Sequence, residues 1–267
     1  MKKAILLVVP GTTCRQAAPV LERLMTRIDE RFSATPHALA YSSTGVHKKL
    51  RQKGMRIDTP EEALARLRKA GATHVVVKPL HMVAGKEYRE LQESVAQVQS
   101  GSRALQQADL TRPLLESQAD MRRLIETLIG ALPSPQDPSA ALVLVAHGSR
   151  SAGTDAVIDA ASAFCRHLDR EVFVGSMISR PNRDDVVARC VQAGVRHAQL
   201  APLMIAAGFS ARGDICGDAE GSWKHALEEA GIHCEPILKG LAEYDAVIDL
   251  WLDQVDDMLS KYEDTER

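Results

Sequence analysis

The chain has 267 residues, 45% hydrophobic and 25% charged, with a formal net charge of -2. This is the mixture of a globular protein with room for one large domain or two modest ones, and its charge argues against a general nucleic-acid binder, which needs a basic surface. Five cysteines without a CxxC pair argue against a disulfide framework or structural zinc and for a reducing compartment.

Taken in order, Lys2-Lys3 leads into an apolar run, Ala4–Val9, that Pro10-Gly11 breaks. The run is shorter than a signal-peptide core, and no segment approaches the ~20 apolar residues of a membrane span. It is expected to be the buried first strand of a cytoplasmic protein with no membrane partner. An amphipathic stretch, Ala17–Phe32, precedes a strand at Ala38–Tyr41. Thr59-Pro60-Glu61-Glu62 then opens a helix over Pro60–Lys69, with Thr as cap, Pro at the first position and Glu three residues after the cap. A strand at His74–Lys78 and a helix at Glu87–Val98 follow. Pro133, Pro135 and Pro138 exclude helix or central strand, so residues 133–140 are expected to link an N-terminal lobe, 1–132, to a C-terminal lobe, 141–267.

The second half repeats the alternation. Strands are expected at Leu142–Ala146, Val172–Ser176, Ala198–Ile205 and Cys234–Leu238, with helices at Asp155–Leu168 and Arg183–Gln192 and a long last one near Ala242–Tyr262. Apolar strands alternating with helices imply α/β lobes, each a parallel sheet flanked by helices. ILLVVPGTT before the prolines echoes LVLVAHGSR after them, and KPLHMVAG echoes APLMIAAG, which suggests two similar lobes.

Ligands of open parallel sheets bind beyond the carboxyl ends of the strands. That rule selects Gly11, Thr12, Cys14 and Arg15 after the first strand, and His81 and Glu87 after the third. In the second half it selects His147 and Arg150, then Arg180, then Gly208, Ser210 and Arg212. If the lobes face one another, these segments line a central cleft. His147 suits a metal ligand or proton acceptor, or simply the cap of the next helix; Glu87 suits a substrate contact or an ordinary first-turn carboxylate. Arg15, Arg150, Arg180 and Arg212 suit a ligand with several carboxylates, since guanidinium binds them in paired hydrogen bonds. No P-loop, dinucleotide fingerprint or G-x-S-x-G is present, so no nucleotide cofactor is expected.

The segments KKAILLVVPGTT, IDTPEEAL, VVVKPLHMVAGKEY, LVLVAHGS, VFVGS and APLMIAAG, with the later GD…SWK…AGI and GL, cover nearly the whole chain. Together they resemble the anaerobic sirohydrochlorin cobaltochelatases, class II tetrapyrrole chelatases. The resemblance implies two flavodoxin-like lobes and ATP-independent insertion of Co²⁺, or Fe²⁺ in relatives, into sirohydrochlorin during cobalamin biosynthesis. It also implies a metal site of a His after the fifth strand, a Glu after the sixth and a His after the glycine of the PLM segment. Here those positions hold His147, Ile178 and Ser210, with Met177 a candidate soft ligand beside Ile178. The alternative is a non-catalytic tetrapyrrole or haem carrier that lost the metal site; a cleft for an unrelated anion also stays open. Homo-oligomerisation is left open.

Overall fold

A computed structural model describes residues 1–14, 18–101, 105–148, 161, 165, 168 and 170–264. The chain forms two compact units, Met1–Glu116 with Ile248–Arg267, and Ser117–Val247. Among the described residues no helix is long and apolar enough to cross a membrane.

The first unit holds strands β1 (Lys3–Val9), β2 (His37–Tyr41), β3 (His74–Pro79) and β4 (Gln107–Leu110) in the order β2-β1-β3-β4, all parallel. The β1 run is buried through Val9, as a strand covered on both faces must be. Alternation sends Ala4, Leu6 and Val8 to one face, where they meet Val75 and Val77 of β3. Helix α3 (Pro60–Lys69) closes that face with Leu64 and Leu67, and α4 (Lys86–Gly101) adds Leu91 and Val95. The α3 start is the expected capping box: Glu62 N–H donates to Thr59 Oγ1 at 3.3 Å, and Thr59 N–H donates to Glu62 Oε2 at 3.0 Å. Helices α1 (Ala18–Arg31) and α2 (Thr44–Gln52) complete the early part of the unit.

The second unit holds β5 (Ala141–Ala146), β6 (Val172–Ser176), β7 (His197–Leu203) and β8 (His233–Pro236), ordered β6-β5-β7-β8 and again all parallel. Its core joins Val143 and Val145 of β5 and Leu200 of β7 to two helices: Val186 and Cys190 come from α6 (Arg183–Gln192), Trp223 and Leu227 from α7 (Trp223–Glu229). The two strand orders are identical when β1 is matched to β5 and β3 to β7. These are the strands that carry the paired sequence echoes.

The grouping differs from a division at 133–140. Helix α5 (Gln118–Ala131) falls in the second unit, and from Ile248 onward the last helix, α8 (Asp245–Asp264), falls in the first. The bonds of α8 give the physical reason. Arg27 Nη2 donates to Asp249 at 2.8 Å and Arg31 Nη2 to Asp253 at 2.8 Å, tying α8 to α1. Lys78 of β3, wholly buried, donates to Gln254 Oε1 at 2.9 Å, and Tyr262 O–H donates to Val75 O at 3.3 Å. The terminal helix covers the first sheet.

Strand β4 and helices α2, α5 and α7 are additional to the elements expected from sequence. Arg15, Arg150 and nearly all of the stretch expected as the helix Asp155–Leu168 lie outside the described residues.

Candidate functional site

In both sheets the strand order changes direction between the first and third strand of the unit, where open parallel sheets bind ligands. Gly11 after β1 and Gly148 after β5 have φ of +93° and +76°, in the left-handed region. A Cβ on Gly11 would collide with Tyr41, the last residue of β2; one on Gly148 would collide with Ser176, the last residue of β6. The same turn is built twice. His147 therefore occupies in the second unit the place that Pro10 holds in the first.

His147 leaves the end of β5 exposed to solvent. Beside it Ser176, 1% exposed, organises the loop after β6. Its Oγ accepts from the N–H of Ile178 at 3.2 Å, the N–H of Ser179 at 3.1 Å and the hydroxyl of Ser179 at 3.0 Å. It donates to His147 O at 3.5 Å, and Met177 N–H donates to Ala146 O at 3.1 Å. The loop that carries the second family ligand position is thus fixed by backbone and hydroxyl bonds that do not involve the side chain of residue 178. Ile178 is 46% exposed, whereas Met177 is partly buried and packs against the core. After β7, Gly208 and Ser210 are partly exposed and Phe209 is 68% exposed. Arg212 lies in the π-helical turn Ala211–Ile215 and its Nε donates to Ala207 O at 3.1 Å. Arg180 reaches Asp185 at 3.4 Å with its side chain 81% exposed. Of the four arginines selected from sequence, the two described ones are held by different local partners.

In the first unit the imidazole sits elsewhere. His81, 5% exposed, follows β3 at the place that Met204 takes after β7. Its Nε2 lies 3.1 Å from Ser42 Oγ, which donates to Val9 O at 3.3 Å, so the pattern assigns the ring proton to Nε2. Glu87 Oε2 is 3.9 Å from the same nitrogen. Because Ser42 and Glu87 share one nitrogen, the three do not form a nucleophile relay, which needs a partner on each side of the ring. Among the described residues Nδ1 is buried without a hydrogen-bond partner. Burial, with the Lys78 charge adding to it, pulls His81 down to about 4, and burial raises the Glu87 carboxyl. Both shifts favour the uncharged forms.

Gly11 and Thr12 are partly exposed, and the Thr12 hydroxyl accepts from the N–H of Cys14 at 3.0 Å, folding the buried Cys14 under the loop. Burial pushes Cys190 and Cys234 up to about 12 and Cys165 and Cys216 up to about 11, so these thiols stay protonated and make poor metal ligands. Among the described residues no three His, Cys, Asp or Glu side chains gather to hold a metal ion.

The neutral state of His81 makes stability depend on pH. The unfolded chain takes up the imidazole proton near pH ~6.5 and the folded one only near 4, so stability is lost as pH falls through that interval. Between about pH 7.5 and pH 5 the loss attributable to His81 is about 2 kcal/mol. Urea unfolding of wild type and His81→Gln at both pH values should show the smaller fall in the variant; equal falls would contradict a buried neutral His81.

Ser42, Ser176 and Phe209 escaped the sequence reading. A serine at or after a strand end looks like any loop residue, and a lone aromatic such as Phe209 reads as core until its exposure is known.

A protein-family model described as Cobalt chelatase (CbiK) matches residues 3–260. The chain is 33% identical to the sirohydrochlorin cobaltochelatase CbiKC of Nitratidesulfovibrio vulgaris over 98% of its own length and 93% of that protein. It is also 33% identical to the sirohydrochlorin cobaltochelatase of Salmonella typhimurium, covering 92% of each. Among solved structures, SirB from Bacillus subtilis with Fe³⁺ superposes with a TM-score of 0.70 at 14% identity, covering 98% of both chains.

Proposed function

Because the chain belongs to the cobalt chelatase (CbiK) family, we propose that it inserts a divalent cobalt or iron ion into sirohydrochlorin, both being substrates. One observation carries the reading: the family match runs through both units, and the chain keeps an accessible imidazole, His147, at the carboxyl end of the interior strand β5. Metallation replaces two pyrrole N–H protons by the metal. An imidazole there meets the ion or accepts one of those protons.

Two exposed apolar side chains lie on the loops that carry the other two family ligand positions. Ile178 occupies one of these positions and Phe209 adjoins the other, Ser210, and both are large hydrophobic side chains exposed to solvent. Covering such a side chain with the flat face of a macrocycle is worth about 1.5–3 kcal/mol, while Arg180 and Arg212 offer positive charge to peripheral carboxylates.

A second reading is favoured by Ile178 and Ser210 themselves: the chain binds the tetrapyrrole or a haem without metallating it. One sample separates the two. Sirohydrochlorin is titrated into the protein anaerobically and Co²⁺ is then added. Insertion faster than in buffer supports the chelatase, binding without acceleration supports the carrier, and no binding rejects both. In the same assay Phe209→Ala should weaken sirohydrochlorin binding about tenfold while the rate at saturation is kept. Unchanged affinity would remove Phe209 from the binding surface.

A further inference from the structure

The amino ends of β7 and β8 carry a second set of ligating side chains, outside the site described above. His197 is the first residue of β7 and His233 the first of β8, and the parallel ladder pairs them directly. Paired residues project to the same face of a sheet, so the two imidazoles stand side by side, with ring centroids 5.7 Å apart and ring planes at 69°. Glu235, two residues on along β8, shares that face. These residues, with Gln136, Asp137 and Ala140, line a cavity of about 270 Å³. The strand β7 separates this cavity from the loop of Phe209 and Ser210 by about 20 Å, at ~3.3 Å per residue.

We propose that His197 and His233 clamp a divalent late-transition cation of the Zn²⁺, Ni²⁺ or Co²⁺ type. Two imidazoles bound to one such ion at ~2.0–2.1 Å and near-tetrahedral angles have centroids about 5–6 Å apart, and 5.7 Å falls within that interval. A second observation points the same way. Asp137 Oδ1 accepts from both the N–H of Ser139 at 2.8 Å and its hydroxyl at 2.7 Å, while its Oδ2 faces His197 Nε2 at 3.4 Å. A carboxylate on one imidazole nitrogen orients the other toward a metal, the usual support of a ligating histidine, and leaves His197 Nδ1 as the donor. Among the described residues no three ligating groups converge as they stand. The imidazole pair is therefore the fixed part of the site, and Glu235, whose Oε2 accepts from Gln136 N–H at 3.3 Å, or solvent completes the coordination. Imidazole with carboxylate selects this class of cation over Mg²⁺ or Ca²⁺. Arg170, anchored on Ala140 O at 3.0 Å and Gln199 Oε1 at 2.8 Å, adds positive charge near Glu235 and holds the affinity to a moderate level.

The proposal does not depend on the chelatase reading, and its test uses no tetrapyrrole. The metal-free full chain is titrated with Co²⁺ alone, read by the visible absorption of the bound ion and by the imidazole C–H resonances. One ion should bind with absorption typical of four- or five-fold coordination. His197→Ala and His233→Ala should each weaken it at least tenfold, with His225→Ala, whose imidazole faces Glu229 outside both sites, binding like wild type. The two residues are partly or fully exposed at strand starts, and His197→Gln and His233→Gln repeat the loss with polar size kept; thermal melts verify folding. Absent Co²⁺ binding, binding indifferent to both histidines, or an equal loss in His225→Ala would each overturn the clamp.

Discussion

Replacing His147 with alanine is expected to lower the rate of Co²⁺ insertion into sirohydrochlorin by at least about 100-fold, the scale of a positioned acid–base group. The reason lies in what else the strand ends offer. Metallation must dispose of two protons and strip an ion from water. His81 is buried and held at about 4, so at neutral pH it is a weak base, and its Nε2 is engaged with Ser42. The four thiols that burial pushes up to about 11 or 12 stay protonated. His147 alone among these presents its side chain to solvent. Anaerobic spectra of the metallated product, followed across sirohydrochlorin concentrations, give kcat and KM separately. The loss is expected in kcat; a variant that inserts cobalt at the wild-type rate would remove His147 from the chemistry.

The second large effect runs in the opposite direction. Ile178→Glu combined with Ser210→His is expected to tighten Co²⁺ binding and to accelerate its insertion by about 10–100-fold, since sites for such ions usually supply three protein ligands and one open position. The loop after β6 takes its shape from Ser176, whose hydroxyl holds the N–H groups of Ile178 and Ser179, so a carboxylate can be introduced without rebuilding the backbone. Ile178 is 46% exposed and lends little to the core. Measuring Co²⁺ affinity and insertion rate for the two single variants and the pair tests this. A pair no better than wild type would mean that more than ligand identity separates this chain from the family pattern.

Much of the fold was legible because the strands are unbroken apolar runs. Ala4–Val9, Leu142–Ala146 and Val172–Ser176 reappear within a residue as β1, β5 and β6. Strand β4, Gln107–Leu110, did not announce itself: four residues including Gln107 and Asp109 carry no alternation, and their pairing with β3 alone makes them a strand. Helix α5 had a readable stripe in Met121, Leu124, Ile125 and Leu128 behind a Ser117–Asp120 capping box, yet the nearby prolines drew the eye to a boundary. Helix α2, with only His47 and Leu50 buried, is too polar for its period to show. At the site, strand-end position found His147 and His81 but not their difference in exposure. That difference arises because an imidazole follows the first strand in one unit and the third strand in the other. The pairing of His197 with His233 needed the register between β7 and β8, which no local pattern encodes.

The route of the backbone has a consequence for biogenesis. A ribosome releases residues 117–247 as an uninterrupted stretch with its own four-stranded sheet, whereas the sheet begun by β1 waits for Ile248 onward before α8 can bring Gln254 to Lys78 and Tyr262 to Val75. The later-made half is thereby complete as soon as it emerges, while the earlier-made half is the last to close, reversing the usual amino-to-carboxyl order of maturation. A nascent chain stalled or clipped before α8 would leave one face of its oldest sheet uncovered.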